Sequence, residues 1–203
     1  MKQITESIKN LTLILSLFAV VACQKQSNKT AVDKAFMGHQ WQLVTDSSTL
    51  TFISTKNKTI TEEHKLQFGQ GSIDSNSDMV LAVDLESVDT MIPIRDERMR
   101  NILFKTDQYP SATVSASIPT GIELNQKVEL PFTLNLHGQT RTMKAQVMAQ
   151  MVEGRLVVVN YEPIAINTKD FGMDDGINKL TQIAGLLSID YASLVDFKLT
   201  FEK

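Results

Sequence analysis

In residues 129–136, ELPFTLNL, the apolar Leu130, Phe132, Leu134 and Leu136 stand two apart, with Thr133 and Asn135 between them. The segment VDFKLTFEK sets Val195, Phe197, Leu199 and Phe201 against Asp196, Lys198, Thr200 and Glu202 in the same way. A β-strand sends successive side chains to opposite faces, so each segment reads as a strand with one dry and one wet face. MVLAVDLES repeats the pattern with Leu81, Val83 and Leu85, and TVSASI with Val114, Ala116 and Ile118. Less regular runs near 49–55, 64–73, 142–151 and 155–166 bring the expected number of strands to about eight. Glycine in the short links HGQT and EGR supplies the positive φ of tight hairpins, so neighbours are expected to run antiparallel. One-sided strands in this number either stack as a sandwich or close into a barrel. Period alone does not choose between them.

Two stretches leave the period of two. RDERMRNILF places Met99, Ile102 and Leu103 at helical spacing, with Asp96 near the start where an acid suits the helix dipole. DDGINKLTQIAG places Ile177, Leu180 and Ile183 or Ala184 on one face and meets Gly185, a helix stop. Pro110 marks a return to extended chain. The 203 residues are 42% hydrophobic with a formal net charge of -3, which provides a core and excludes a broad basic surface for nucleic acid. One cysteine forms no internal disulfide, and no Cys/His cluster has zinc spacing.

That cysteine has a context of its own. Lys2 and Lys9 precede an uncharged run of 12 residues, Leu11 to Ala22, and a polar tract follows Cys23 at once. This is the layout of a signal peptide. As a helix the run would measure about 18 Å, short of the roughly 30 Å of a bilayer core. Val20, Val21 and Ala22 before Cys23 resemble the lipobox of bacterial lipoproteins, in which the cysteine is lipidated and becomes the first residue. The expected organisation is a lipoprotein signal peptide over 1–22, a flexible tether over 23–40 and a β domain over 41–203. Gln24 after the cysteine, where an aspartate would retain many such proteins in the inner membrane, implies an outer-membrane lipoprotein facing the periplasm.

Three ordered signatures carry a further resemblance. LESVDTMIPIRDERMRNILF followed by YPSATV contains Ser87, Asp89, Thr90, Arg95, Asp96, Phe104, Tyr109 and Pro110. LNLHGQTR contains Leu136, His137, Gly138 and Thr140, and DFGM covers 170–173. With WQLVTDSSTLTF ahead of them, these residues resemble the YceI-like family of lipocalin-like, polyisoprenoid-binding periplasmic or secreted proteins, over Trp41 to about Phe201. The chain departs from that family at EEHKLQF, where a glycine often precedes the aromatic, and in the basic Arg98 and Arg100. The resemblance implies an all-β, eight-stranded antiparallel lipocalin-like barrel with one or two short helices.

It also implies an interior that takes an isoprenoid lipid, a quinone or polyprenyl chain, for storage, shielding or transport. By alternation the inward set is Phe52, Phe68, Leu81, Val83, Phe132, Leu134, Val147, Phe197 and Leu199. The same residues suit a close-packed core, in which case the chain is an anchored interaction or stress-response scaffold without ligand. Arg95 and Asp96 stand where they either meet a lipid head group or fix the turn between strand and helix. His39, His64 and His137 lack ligand spacing, so no metal or other cofactor is expected. Asp174 and Asp175 read as a helix start, and no GxSxG, P-loop or HExxH motif is present, so no enzyme is expected. The expected partners are an isoprenoid lipid and, through Cys23, the membrane.

Overall fold

The computed structural model describes residues 38–203, so the expected signal peptide, Cys23 and nearly all of the expected tether lie outside the described residues. Ten strands form one antiparallel sheet: β1 Trp41–Leu43, β2 Thr49–Lys56, β3 Ile60–Ile73, β4 Asp78–Asp89, β5 Ser111–Ser117, β6 Lys127–Leu136, β7 Gln139–Val152, β8 Arg155–Asn160, β9 Ile164–Asn167 and β10 Ala192–Glu202. Strands β2 to β8 pair in sequence, and β10 lies between β8 and β2, which closes the ring. The fold is therefore a barrel of eight ring strands, with short β1 and β9 added against β10.

The total of ten differs from the expected eight at two places. WQL pairs with both β3 and β10 and becomes a strand in its own right. The run expected over 155–166 is broken at Tyr161–Glu162–Pro163, where proline brings no N–H to the ladder. Asn160 bridges this break: its amide donates to Glu162 O and Asp196 Oδ1, and its Oδ1 accepts from Phe197 N. The hairpins at His137–Gly138 and Glu153–Gly154 each hold two successive residues at positive φ, as two-residue turns of right-handed strands require.

Both helices gather at one end of the ring. Helix α1, Pro93–Arg98, starts on a proline whose fixed φ suits a first turn, and runs on as a wider π-helix over Met99–Phe104. This wide turn buries Met99, Leu103 and Phe104. Helix α2, Asp174–Ile183, stops as expected at Gly185: Gly185 N donates to Gln182 O and Leu186 N to Thr181 O, with Gly185 at φ +64°. The opposite end is packed shut by Trp41, Leu156 and Phe201, all fully buried. Trp41 pairs with Ile73 there, and Phe201 with Leu156.

Candidate functional site

Between the packed end and the helices the barrel encloses a cavity of about 660 Å3. Native cores contain few voids larger than a water molecule, whereas ligand pockets span about 300–1,000 Å3, so this interior is a pocket. All nine residues expected to face inward, Phe52, Phe68, Leu81, Val83, Phe132, Leu134, Val147, Phe197 and Leu199, line it. The apolar face of α2 adds Ile177, Leu180 and Ile183, and the π-helical segment adds Met99, Leu103 and Phe104. Exposed Ile92, Ile94 and Ile183 belong to the same wall, which places the opening between the start of α1 and the end of α2.

The wall turns polar toward that opening. On β2 the inward row runs Leu50, Phe52, Ser54, Lys56, and on β3 it runs Phe68, Leu66, His64, Glu62. The two rows lie side by side, with Phe52 opposite His64 and Ser54 opposite Glu62. His64 is 3% exposed, its Nε2 is 2.8 Å from Ser54 Oγ, and its ring meets Phe52 edge-on at 5.2 Å. Its Nδ1 has no hydrogen-bond partner. Burial holds the imidazole below its ordinary pKa, and the nearby Arg95 guanidinium adds to the effect.

Arg95 enters the cavity wall from α1. One terminal nitrogen, Nη1, meets Glu62 Oε2 at 2.7 Å, and the other, Nη2, donates to Thr90 O at 2.6 Å. Its buried Nε has no partner. Lys56 Nζ also reaches Glu62 Oε2, at 2.9 Å. Glu62 is held below the ordinary carboxylate range, first by its hydrogen bond from Lys56 and against some desolvation. Asp96 lies off the cavity wall: its Oδ1 accepts from Thr90 N and Thr90 Oγ1, which fastens the end of β4 to α1. Of the two residues considered for a head group, only Arg95 therefore faces the interior.

Sequence reasoning passed over His64, because it asked only whether three histidines had metal-ligand spacing. Carrying the period of two on from Phe52 and Phe68 would have found Ser54, Lys56, His64 and Glu62. The family-like signatures otherwise act as scaffold. The Tyr109 and His137 rings pack at a 45° tilt with centroids 4.4 Å apart, and a side chain at Gly138 would stand 3.0 Å from the Tyr109 ring. Phe171 and Met173 of DFGM are buried, and Asp174 and Asp175 occupy the first turn of α2. Among the described residues no group of three His, Cys, Asp or Glu side chains is placed to hold a metal ion. No described helix is long and apolar enough to cross a membrane.

A closed antiparallel barrel around an apolar pocket with one polar end defines a lipocalin-like binding fold. Residues 41–201 match the sequence model of the YceI-like domain, and the chain belongs to that family. Its structure is similar to that of a polyisoprenoid binding domain from Saccharophagus degradans implicated in plant cell wall breakdown. The two are 32% identical, the match covers 80% of this chain and 97% of that one, and the TM-score is 0.75. Burkholderia cenocepacia BcnA has a similar fold at 17% identity, with 76% of this chain and 96% of that chain covered and a TM-score of 0.57. No curated protein matches the sequence.

Proposed function

We propose that this chain is a lipid-anchored envelope protein that binds an isoprenoid lipid inside its barrel and stores, shields or carries it. The observation that carries this reading is the 660 Å3 pocket, lined over most of its surface by aliphatic and aromatic side chains. Each methylene moved from water into such a lining gains about 0.8 kcal/mol, so a long hydrocarbon tail is the ligand this wall rewards. A solid-core scaffold would have filled the same volume with side chains. The name of the Saccharophagus relative, a polyisoprenoid binding domain, supports the same ligand class. The role is binding, without catalysis. Cys23 is the proposed lipid attachment point, and the outer membrane, facing the periplasm, the proposed location.

Mass spectrometry of lipid that co-purifies with the full chain tests the ligand, with added isoprenoid quinone and polyprenyl phosphate as direct probes. An isoprenoid in the extract, or binding of either probe, is the expected result; recovery and binding of neither overturns the reading. Anchoring is tested separately by metabolic labelling with a fatty acid. Cys23→Ser is expected to lose the label, and an equally labelled variant removes the anchor from the proposal.

A further inference from the structure

We propose that His64 and Arg95 form a receptor for the head of the bound lipid, specific for an oxygen that accepts hydrogen bonds. This rests on the isoprenoid reading above and adds to it the polarity and the position of the head. Buried nitrogen atoms are nearly always paired, so unpaired ones within side chains that line a cavity mark a place where a ligand can complete the bonding. Here two of them, His64 Nδ1 and Arg95 Nε, belong to side chains that line the polar end of the same pocket.

Much of each side chain is already committed. Arg95 commits one N–H of each terminal nitrogen, to Glu62 and to Thr90, while the N–H of its buried Nε, a donor under any protonation state, has no partner. His64 spends Nε2 on Ser54; when the serine hydroxyl donates to it, Nδ1 carries the ring's proton and is a second donor. Glu62 meanwhile takes both Lys56 and Arg95 on its Oε2, which sets a negative charge against the two cations beside the site. The site therefore offers donors to a compact oxygen-bearing head while the tail lies along Phe52, Leu66, Phe68 and the apolar wall beyond. An oxygenated head that reaches either nitrogen supplies the partner it lacks, a gain that a ligand of hydrocarbon alone cannot make. A ring carbonyl and a phosphate both supply such an oxygen.

The test compares three probes of matched tail length on the full chain: a prenylated quinone, a polyprenyl phosphate and a pure isoprenoid hydrocarbon. The native protein is expected to bind at least one oxygenated probe about tenfold more tightly than the hydrocarbon, the worth of one hydrogen bond. His64→Phe keeps the ring's shape and its contact with Phe52, and is expected to erase most of that advantage, costing the oxygenated probes far more than the hydrocarbon. Arg95→Gln should act the same way, and circular dichroism checks that it folds, since it also gives up the bonds to Glu62 and Thr90. Whichever oxygenated probe loses more affinity in these variants identifies the head the pair reads. Equal affinity of all three probes for the native protein overturns the proposal, as does an equal loss for all three in His64→Phe. Binding of no probe overturns the isoprenoid reading itself.

Discussion

Because His64 is buried beside Arg95, a proton on its ring would add a second positive charge where little water screens the first. Lys56 opposes that proton as well, while Glu62 and Asp96 favour it; burial outweighs them and the pKa is lowered. The unfolded chain, with an ordinary histidine pKa near 6.5, takes up the proton first as pH falls, so it binds more protons than the native state. Stability is then full above about pH 6.5 and declines as pH drops toward the lowered native value. His137, lowered by burial and by Lys105, contributes in the same direction. Urea unfolding from pH 7.5 to 5 should show this decline, and His64→Gln should make it shallower. An unchanged slope would show that His64 titrates alike in both states. At this scale the sequence displayed the residue without its setting. Alternation puts His64 inside the barrel, but its unpaired nitrogen depends on Ser54, Arg95 and α1 meeting in space, and no spacing along the chain records that.

At the scale of elements, α2 packs on the π-helical segment through Gly176. A side chain there would stand 3.0 Å from Ile102 O and 3.1 Å from Leu103 Cα, backbone atoms with little room to yield. Gly176→Val is therefore expected to lower stability by about 1–3 kcal/mol, the usual cost of overpacking, although glycine is a poor helix former. Thermal or urea unfolding measures it, and a variant of unchanged or higher stability would mean that the two segments separate freely. The sequence showed α2 clearly, since Ile177, Leu180 and Ile183 share its face and Gly185 ends it. Gly176 was silent, because a glycine inside a helical pattern looks the same whether it is tolerated or required. The two added strands were hard to read for a related reason. WQL is too short to display a period, and β8 and β9 look continuous until the proline between them is weighed against the ladder.

For the whole molecule, alternation identified the inward residues but not whether they touch each other or enclose space. Phe52, Phe132 and Phe197 serve a packed core and a pocket wall equally well, and the difference lies in how far apart the ring holds them. Strand number and tilt set that distance, which no local pattern contains. The pocket can be removed without removing the barrel. Val83→Trp places a large ring in the cavity and is expected to abolish uptake of a prenylated quinone, with the β-rich circular dichroism spectrum retained. Normal uptake by that variant would mean that the tail lies elsewhere. The plug at the packed end has an optical consequence. Trp41 is the chain's one tryptophan, fully buried opposite Ile73, and Ile73 is nine residues along β3 from His64, or roughly 30 Å at ~3.3 Å per residue. The protein thus carries its single tryptophan fluorophore at the foot of the barrel, far from the receptor for the head. Its emission will redden when the barrel unfolds, and a quinone ring held at the mouth will leave it bright, whereas one that enters ring-first will darken it.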